Sequence, residues 1–369
     1  MAWYVYILRC GDGSLYTGIT DDVKQRLDAH RAGKGAKYTR GRGPLELVYQ
    51  EEQPDKSAAL RREIAIKRLC RQDKLEICRG WKSTNEEVGR EHMKEHKLKS
   101  KGWECCVMPG VGANVISLRH EDKEILRSPE GEIALRAAPV LFGVPFLLPP
   151  NRTAGGKFSF DGKEYALEIT EPKRNNHLHG FMHSAAFQVV EQTESSLHTR
   201  LVNEGELFPF ALQVDMLDRL DDDGWHRTAT VTNTGKTAMP LVLAFHTTFN
   251  EPELFAVPLG LRWEVDANYI PTGVKLQLTT EQSRFVQGIS PKDRVVDGFY
   301  EMAGNTARIG DYLLHVEGFD QWILYNGGGD KGYLCVEPQL GPVNALNSGG
   351  YKRLKPGEKY TVMMEIIHE

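Results

Sequence analysis

Residues 3–20 read WYVYILRCGDGSLYTGIT, and this stretch decides the fold of the first part of the chain. Tyrosine, valine and isoleucine, which favour strands, are concentrated on both sides of a Gly-Asp-Gly-Ser turn. The pattern predicts a β-hairpin with strands at residues 3–9 and 14–18. Tyr6 and Tyr16 then lie on neighbouring strands, where they either pack across the hairpin or form part of a site.

Helical patterns and a third strand follow the hairpin. Val23 and Leu27 are four residues apart on one predicted helix face, and glycines at 33 and 35 end that helix. The segment PLELVYQEE predicts a third strand, and residues 55–69 and 72–77 predict two further helices. Residues 1–82 are therefore predicted to form a small α/β domain, a three-stranded sheet with helices.

The remainder of the chain has a different pattern. Residues 83–102 are highly charged and contain few large apolar side chains, so they are predicted to be a linker. From residue 103 the hydrophobic period becomes two, with Asn-Thr-Gly and Asp-Gly turns and no convincing long helix. Residues 103–369 are predicted to be one large all-β sandwich. The predicted fold class is therefore multidomain, a small α/β domain followed by an all-β domain.

Composition and charge narrow the classes of protein. The chain has 369 residues with 40% hydrophobic residues, and no apolar run approaches the roughly 18–20 residues of a membrane helix. Its start lacks the basic leader and cleavage site of a signal peptide, and its six cysteines lack a C-x-x-C spacing. A cytoplasmic protein without a membrane partner is predicted.

The charge is unevenly distributed along the chain. Residues 1–102 contain 22 Lys and Arg against 15 Asp and Glu, a charge of +7, and the remainder carries −11. A basic half predicts contact with a polyanion such as DNA. A fusion of two unrelated modules explains the same asymmetry and is compatible with that prediction.

Five residues of the first domain have the side chains that phosphodiester hydrolysis requires. Tyr6 and Tyr16 lie on the hairpin, Arg26 and His30 lie one turn apart on the first helix, and Glu63 lies on the second helix. Hydrolysis needs a base for water, a cation to neutralise developing charge, and a basic clamp. A phenol, a carboxylate that holds Mg²⁺ and an arginine supply these groups.

Each of these residues also has a structural explanation. The tyrosines could be packing residues, and Glu63 could pair with Lys67 on a solvated helix face. The basic loop GKGAKYTRGRG surrounds Tyr38, and it predicts either phosphate contacts beside one stackable ring or a solvated loop.

In order and spacing these motifs resemble the GIY-YIG endonuclease family over about residues 2–80. The resemblance implies that Tyr6 and Tyr16 are the motif tyrosines, one of them the general base, and that Arg26 binds phosphate. It implies that His30 is a substrate-binding position often occupied by Tyr or His, and that Glu63 is both catalytic and the ligand of Mg²⁺ or Mn²⁺. A lysine that some relatives carry three residues after the second tyrosine is Ile19 in this chain.

The second domain contains histidines and a carboxylate in four separate segments. These segments are NRTAGGKF with Arg152, NNHLHGF with His177 and His179, LAFHTTFN with His246, and YLCVEPQLGPVN with Glu337. Two histidines and a carboxylate that converge on a cleft could transfer protons or bind a metal ion. Opening a hemiacetal needs one proton removed and another donated on opposite sides of the sugar ring, which a carboxylate and an imidazole do near neutral pH without a cofactor.

The order of these segments resembles the aldose 1-epimerase (galactose mutarotase) family over residues 103–369. The resemblance implies that Glu337 is the general base that takes the proton of the sugar's C1 hydroxyl, and that His246 is the acid that protonates the ring oxygen. It implies that His179, Arg152 and Asp297 bind the substrate, an aldohexose or a related sugar. The motif tyrosine of the family is replaced by threonine at position 248.

Three functional hypotheses follow. Both domains could be enzymes, or an epimerase could carry a vestigial DNA-binding domain. Alternatively, a non-catalytic sugar sensor could control a nuclease. A binding module of that kind would keep Arg152 and the aromatic residues Phe158, Trp263 and Trp322 but would not need both His246 and Glu337.

Overall fold

The computed structural model describes residues 3–11, 13–31, 35–39, 42, 45–84 and 94–369. The chain divides into two compact units, residues 1–91 and 92–369, and each is described by itself. No helix within the described ranges has the length and apolar character needed to cross a membrane. All six cysteines are free thiols.

The first unit is a three-stranded antiparallel sheet with helices. Its elements are β1 (Trp3–Arg9), β2 (Leu15–Thr20), α1 (Val23–Arg31), β3 (Glu46–Gln53), α2 (Lys56–Arg68) and α3 (Arg71–Thr84). The sheet order is β2-β1-β3, so the predicted hairpin is present and β1 is the central strand. The small α/β domain predicted from the sequence is confirmed, with a third helix longer than the one predicted at 72–77.

The side chains on the two faces of strand β1 have different surroundings. Val5 and Ile7 point into the small core, which includes Val48 and Ile66. Side chains alternate along a strand, so Tyr6 points to the opposite face. Tyr6 faces Gly18 across the hairpin. A Cβ at Gly18 would lie 2.7 Å from Tyr6 Oη, which explains why the residue two positions after Tyr16 is a glycine.

The second unit contains the remaining described strands and three short helices. Its strands are β4 (His96–Ser100), β5 (Trp103–Met108), β6 (Asn114–His120), β7 (Lys123–Glu124), β8 (Phe146–Leu147), β9 (Arg152–Ala154), β10 (Lys157–Phe160), β11 (Lys163–Ala166), β12 (Asn176–Leu178), β13 (Gln188–Gln192), β14 (Ser196–Asn203), β15 (Leu212–Leu220), β16 (Gly224–Asn233), β17 (Met239–Leu241), β18 (Leu243–Phe245), β19 (Thr248–Asn250), β20 (Phe255–Ala256), β21 (Leu259–Val265), β22 (Pro271–Leu276), β23 (Asp297–Met302), β24 (Thr306–Ile309), β25 (Tyr312–Glu317), β26 (Gln321–Tyr325), β27 (Tyr333–Leu340), β28 (Lys352–Leu354) and β29 (Lys359–His368). Its helices are α4 (Glu132–Ala137), α5 (Thr280–Gln287) and α6 (Ala345–Ser348).

Two eight-stranded sheets form the body of this unit. One has the order β13-β14-β15-β16-β29-β25-β24-β20. The other has the order β22-β21-β23-β26-β27-β18-β8, with β19 paired to β27. Strands β15 and β16 alternate between buried and less buried residues, as expected where one sheet face packs on a core. The predicted large all-β fold is confirmed.

The predicted linker contains a strand. Residues 96–100 were assigned to the 83–102 linker, but the structure shows them as β4, paired with β5. His96 and Leu98 are buried while Lys97 and Lys99 are exposed, so a period of two is present beneath the high charge. The exposed lysines give this segment the composition of a linker, so composition alone does not predict the short strand. Residues 85–93 of the predicted linker lie outside the described part.

Candidate active sites

Strand β27 is buried on both faces, and one of its faces carries the polar residues of the larger site. Leu334 and Val336 pack in the core between the sheets. Cys335, Glu337 and Gln339 alternate with them and share the opposite face. Glu337 therefore projects away from the apolar core because of its position in the strand alternation, although it is only 2% exposed.

A cavity of about 320 Å³ lies over this face. Its floor is formed across three neighbouring strands, because Phe299 pairs with Ile323 and Ile323 pairs with Glu337. Every residue that the sequence analysis assigned to the sugar site lines this cavity: Arg152, His179, His246, Asp297 and Glu337. The cavity also contains Asn151, Arg174 and Tyr269.

His246 lies next to Glu337 because of its position at a break between two strands. It lies in the gap between β18 and β19, which both pair with β27. Its backbone N–H donates to Pro145, which fixes the chain at the gap. The imidazole Nε2 lies 3.4 Å from Glu337 Oε1, and the side chain is 6% exposed. The predicted acid and base are thus neighbours.

The environment of this pair disfavours charge. Burial raises the pKa of Glu337 well above its usual range, and nearby Asp297 raises it further. Burial lowers the pKa of His246 to about 4. The carboxylate–imidazolium form and the neutral form hold the same number of protons, so one proton shared across the 3.4 Å gap connects the two forms.

The position of the pair corrects one expectation. The sequence analysis expected the base and the acid on opposite sides of the sugar ring. A separation of 3.4 Å between the two groups leaves no space for a ring between them. The two oxygens that exchange protons, the C1 hydroxyl and the ring oxygen, are bound to the same carbon. Neighbouring groups can therefore serve both oxygens from one side.

His179 is placed in the cavity by an unusual backbone conformation. Its φ is +65°, a left-handed region that is uncommon for a residue with a side chain. Its N–H donates to Asn151, and the following Gly180 packs so closely that a Cβ there would lie 2.2 Å from Leu148 O. The ring of His179 meets the ring of His246 edge to face at 5.2 Å. Within the described residues, His179 Nδ1 has no hydrogen-bond partner.

Arg152 is held by Glu171, a residue that the sequence analysis did not identify. Arg152 Nε and Nη2 donate to the two carboxylate oxygens at 2.8 and 3.0 Å, and Nη1 donates to Asn151. Burial favours a higher pKa for Glu171, but hydrogen bonds from Arg152, Asn176 and Arg174 outweigh it and lower the pKa to about 2. The guanidinium is thus fixed at the cavity wall.

Tyr269 completes this wall. The guanidinium groups of Arg152 and Arg174 lie 5.0 and 4.6 Å from the centre of its ring. Asp297 faces the same cavity, and burial raises its pKa. Nothing in the local sequence around Tyr269 or Glu171 indicates this role, because residues far apart in the chain meet only in the folded sheet.

The alternative of a metal site at His177, His179 and Glu337 does not fit the positions of the two histidines. His177 Nδ1 hydrogen-bonds Glu168 O at 2.7 Å, and its ring packs on Phe181. The left-handed conformation of His179 breaks the extended alternation that would place both histidines together. Among the described residues, the three metal-type donors that do cluster are His246, Cys335 and Glu337.

The aromatic residues expected to bind sugar are structural. Phe158 packs against Tyr165, and Trp322 is fully buried with its indole N–H donating to Gly304. Trp263 donates to Gln321 at 2.8 Å. The residues that line the cavity include none of Phe158, Trp263 and Trp322. Large aromatic side chains in strands are usual core residues, and that explanation holds for the two that are buried.

In the first unit a hydrogen-bonded chain links Tyr6 to the first helix. The Thr39 hydroxyl donates to Ala36 O, so its oxygen accepts from His30 Nδ1 at 2.7 Å. His30 Nε2 is then an acceptor, and it lies 2.9 Å from Tyr6 Oη. The phenol of Tyr6 donates to His30 and accepts a bond from Arg26 Nε at 3.3 Å.

The electrostatics agree with this direction of donation. Burial raises the pKa of Tyr6 to about 12, although the bond from Arg26 opposes this. Burial and the charge of Arg26 lower the pKa of His30, which keeps the imidazole neutral. His30 is 2% exposed with both nitrogens bonded, so it supports Tyr6 and has no free nitrogen for a substrate. The predicted direct contact of His30 with substrate does not match this placement.

Tyr16 belongs to a surface stack. Its ring lies 6.1 Å from that of Tyr38 at an angle of 26°, and the guanidinium of Arg42 lies 4.6 Å from the centre of the Tyr38 ring. A depression of about 270 Å³ beside the stack is lined by Tyr16, Thr17, Tyr38, Lys67 and Lys74. Lys34 and Arg40 of the predicted basic loop lie outside the described residues.

Glu63 pairs with Lys67, as the structural explanation predicted. Lys67 Nζ lies 2.9 Å from Glu63 Oε1, and the carboxylate side chain is 14% exposed. The lysine side of this pair reaches the depression beside Tyr16. Mg²⁺ is often bound by one carboxylate together with water and substrate phosphate. Glu63 therefore fits a metal ion when its ion pair with Lys67 breaks.

The folds and sites thus define two classes of protein, an antiparallel β-sandwich with a buried carboxyl–imidazole pair in a cavity and a small basic domain with clustered tyrosines. The aldose 1-epimerase family matches residues 95–366, and the GIY-YIG catalytic domain matches residues 2–76. The chain belongs to the aldose 1-epimerase family and carries an N-terminal GIY-YIG domain.

Solved structures have the same sandwich fold. A galactose mutarotase-like protein from Clostridium acetobutylicum has a TM-score of 0.69 and 24% identity over 75% of this chain and 98% of its own. A putative aldose 1-epimerase from Escherichia coli K12 has a TM-score of 0.66 and 19% identity over 75% of this chain and 99% of its own.

The N-terminal unit is similar to short bacterial proteins. A UPF0213 protein of Streptococcus sanguinis is 61% identical over 72 residues, which cover 20% of this chain and 83% of the relative. A UPF0213 protein of Oceanobacillus iheyensis is 55% identical over 74 residues, which cover 20% of this chain and 86% of the relative. Most of each relative thus corresponds to this one unit.

Proposed function

We propose that residues 103–369, together with strand β4, act as an aldose 1-epimerase that interconverts the anomers of an aldohexose. The observation that carries this proposal is the buried Glu337–His246 pair, 3.4 Å apart at the cavity floor. In the carboxylate–imidazolium form of the pair, Glu337 takes the proton of the C1 hydroxyl and His246 protonates the ring oxygen, which leaves the pair in its neutral form. The ring opens to the aldehyde, the C1–C2 bond rotates, and closure on the other face gives the other anomer.

The remaining cavity residues bind the sugar. Arg152, fixed by Glu171, has guanidinium protons at the wall for sugar hydroxyls, and His179 lines the same cavity. The carboxylate of Glu171 binds both guanidinium groups and offsets one of their two positive charges. A phosphate would have to compete with Glu171 for both arginines, which favours a neutral hexose over a sugar phosphate.

Polarimetry tests this proposal. The full chain is mixed with freshly dissolved α-D-galactose, α-D-glucose or their 6-phosphates, and the approach to anomeric equilibrium is compared with the uncatalysed rate. Acceleration with the neutral sugars, lost in Glu337→Gln with an unchanged circular dichroism spectrum, supports the proposal. No acceleration with any of these sugars would support a non-catalytic, sugar-sensing role.

We further propose that the N-terminal unit is a metal-dependent DNA endonuclease. Arg26 and the lysines beside Tyr16 supply positive charge for phosphate. His30 Nε2 is a proton acceptor that is hydrogen-bonded to the phenol of Tyr6. Glu63 is the residue that would hold Mg²⁺ or Mn²⁺, and the metal would supply charge neutralisation at the phosphate. Tyr38, 45% exposed, offers a ring on which a nucleobase can stack.

Cleavage assays distinguish this proposal from a vestigial DNA-binding domain. The full chain is incubated with Mg²⁺ and single-stranded, nicked and branched DNA, in parallel with Glu63→Gln. Cleavage by the wild-type chain that is lost in the variant supports a working nuclease. Binding to DNA without cleavage of any substrate would favour the vestigial alternative.

A further inference from the structure

A third donor lies beside the acid–base pair, and the epimerase mechanism does not use it. Cys335 is two residues before Glu337 on β27, so the two side chains share one face of the strand. One donor atom from each of His246, Cys335 and Glu337 lies within 4.8 Å of the other two. All three residues are buried, Cys335 completely.

From this geometry we propose that His246, Cys335 and Glu337 form a binding site for a thiophilic divalent cation such as Zn²⁺, and that the bound ion inhibits the epimerase. Imidazole, thiolate and carboxylate are the three types of protein ligand that Zn²⁺ takes. The inhibition rests on the proposed epimerase activity, whereas the binding site is defined by the three donors alone.

The spacing of the donors agrees with tetrahedral coordination. Zinc bonds to nitrogen, oxygen and sulfur place neighbouring ligand atoms about 3.3–3.6 Å apart. His246 Nε2 and Glu337 Oε1 are already 3.4 Å apart. The Cys335 sulfur lies within 4.8 Å of both other donor atoms and must move closer to them to complete the tetrahedron. Because the cavity opens above Glu337, water can fill the fourth position.

Neighbouring residues fix the sulfur. Cys335 pairs with Thr248 across β27 and β19, and the Thr248 hydroxyl lies 3.5 Å from Cys335 Sγ. The backbone bond from Val336 to Thr247 holds the two strands in register. The Thr248 hydroxyl donates to His246 O, so its oxygen accepts from the Cys335 thiol and orients the sulfur.

Metal binding must displace protons. Burial raises the pKa of Cys335 well above its usual range, with a further contribution from Glu337. Binding of the ion to the Cys335 sulfur therefore releases the thiol proton, together with any proton held between His246 and Glu337. An ion bonded to His246 and Glu337 removes both from proton transfer and occupies the space next to the sugar's C1, so inhibition is competitive with sugar.

Cobalt binding to the full chain tests the site independently of enzyme activity. Co²⁺ replaces Zn²⁺ at such sites and gives a thiolate-to-cobalt absorption band in the near ultraviolet. The expected result is a band in the wild-type chain that is absent in Cys335→Ala and is displaced by Zn²⁺. Cys105→Ala is the matched control, because Cys105 is equally buried but belongs to the core.

Inhibition assays complete the test. Cys335→Ala retains the basal mutarotation rate, and it raises the Zn²⁺ concentration needed for half inhibition at least about tenfold, whereas Cys105→Ala leaves that concentration unchanged. Zn²⁺ inhibition that is identical in the wild-type chain and Cys335→Ala would overturn the proposal. A cobalt spectrum without a thiolate band in the wild-type chain would also overturn it, whatever the epimerase activity.

Discussion

Glu337 and His246 lie at the floor of a cavity and are almost completely buried, whereas Tyr16 and Tyr38 line a surface depression beside two lysines. Burial favours the neutral forms of Glu337 and His246, in keeping with the proposed proton transfer within an uncharged sugar. The N-terminal surface instead keeps its cations near solvent, as a polyanion requires. One site thus favours uncharged side chains, whereas the other keeps positively charged side chains near solvent.

The difference teaches how each site depends on its fold. The proposed sugar site is assembled from residues between positions 140 and 337, so it forms only when the sandwich closes. The tyrosine site uses one hairpin and the helices next to it, all within the first 74 residues. We therefore expect substitutions in one unit to leave the chemistry of the other unchanged.

The largest effect is expected at the acid–base pair. His246→Gln should lower kcat for mutarotation by about 10²- to 10⁴-fold, because a positioned proton donor is lost. The double variant with Glu337→Gln should be little worse than either single variant, because the two groups act as a unit. Rates from polarimetry at saturating sugar measure both. Multiplicative losses in the double variant would contradict the coupled pair.

The second effect concerns the carboxylate of the first unit. Glu63→Gln should reduce Mg²⁺-dependent DNA cleavage by about 10²-fold, because the proposed metal loses its protein ligand. Lys67→Met is the matched variant, since it breaks the same ion pair but keeps the carboxylate, and cleavage should fall less than in Glu63→Gln because only one cation near the phosphate is lost. Equal losses in gel assays of the two variants would indicate that the pair is structural.

The two units also differ in how much of each site could be predicted. Residues in short local motifs, such as Tyr6, Tyr16 and Glu337, were identified from the sequence together with the fold of both units. Glu171, Tyr269 and Thr39 were not, because their contacts join segments distant in the chain and no local pattern marks them. Strand β4 was missed because its lysines dominate its composition.

The third effect is on stability and tests the wall of the sugar cavity. The folded pKa of Glu171 is about 2, below its ordinary value of 4.5, so its contribution is present above about pH 4.5 and is lost as pH falls toward 2. Glu171→Gln should lower the free energy of unfolding at pH 7 by about 2 kcal/mol after allowance for solvent screening. Urea unfolding of both chains from pH 6 to pH 3 should show the difference shrinking, and a constant difference would contradict the ion-pair explanation.

The smallest effect is expected at the surface stack. Tyr38→Ala should weaken binding of single-stranded DNA about tenfold, because one base loses its stacking partner. Tyr38→Phe keeps the ring and should bind as the wild-type chain does. Fluorescence anisotropy at one fixed salt concentration measures both variants. Equal affinities of the alanine and phenylalanine variants would show that stacking on residue 38 does not contribute to DNA binding.

The most direct test of the central claim, that one chain carries two chemically independent sites, is a crossed assay. Mutarotation of α-D-galactose and Mg²⁺-dependent DNA cleavage are measured on the same preparations of the wild-type chain, Glu337→Gln and Glu63→Gln. We predict that Glu337→Gln loses only mutarotation and Glu63→Gln loses only cleavage. Retention of mutarotation in a folded Glu337→Gln chain, or loss of both activities in either variant, would contradict the account.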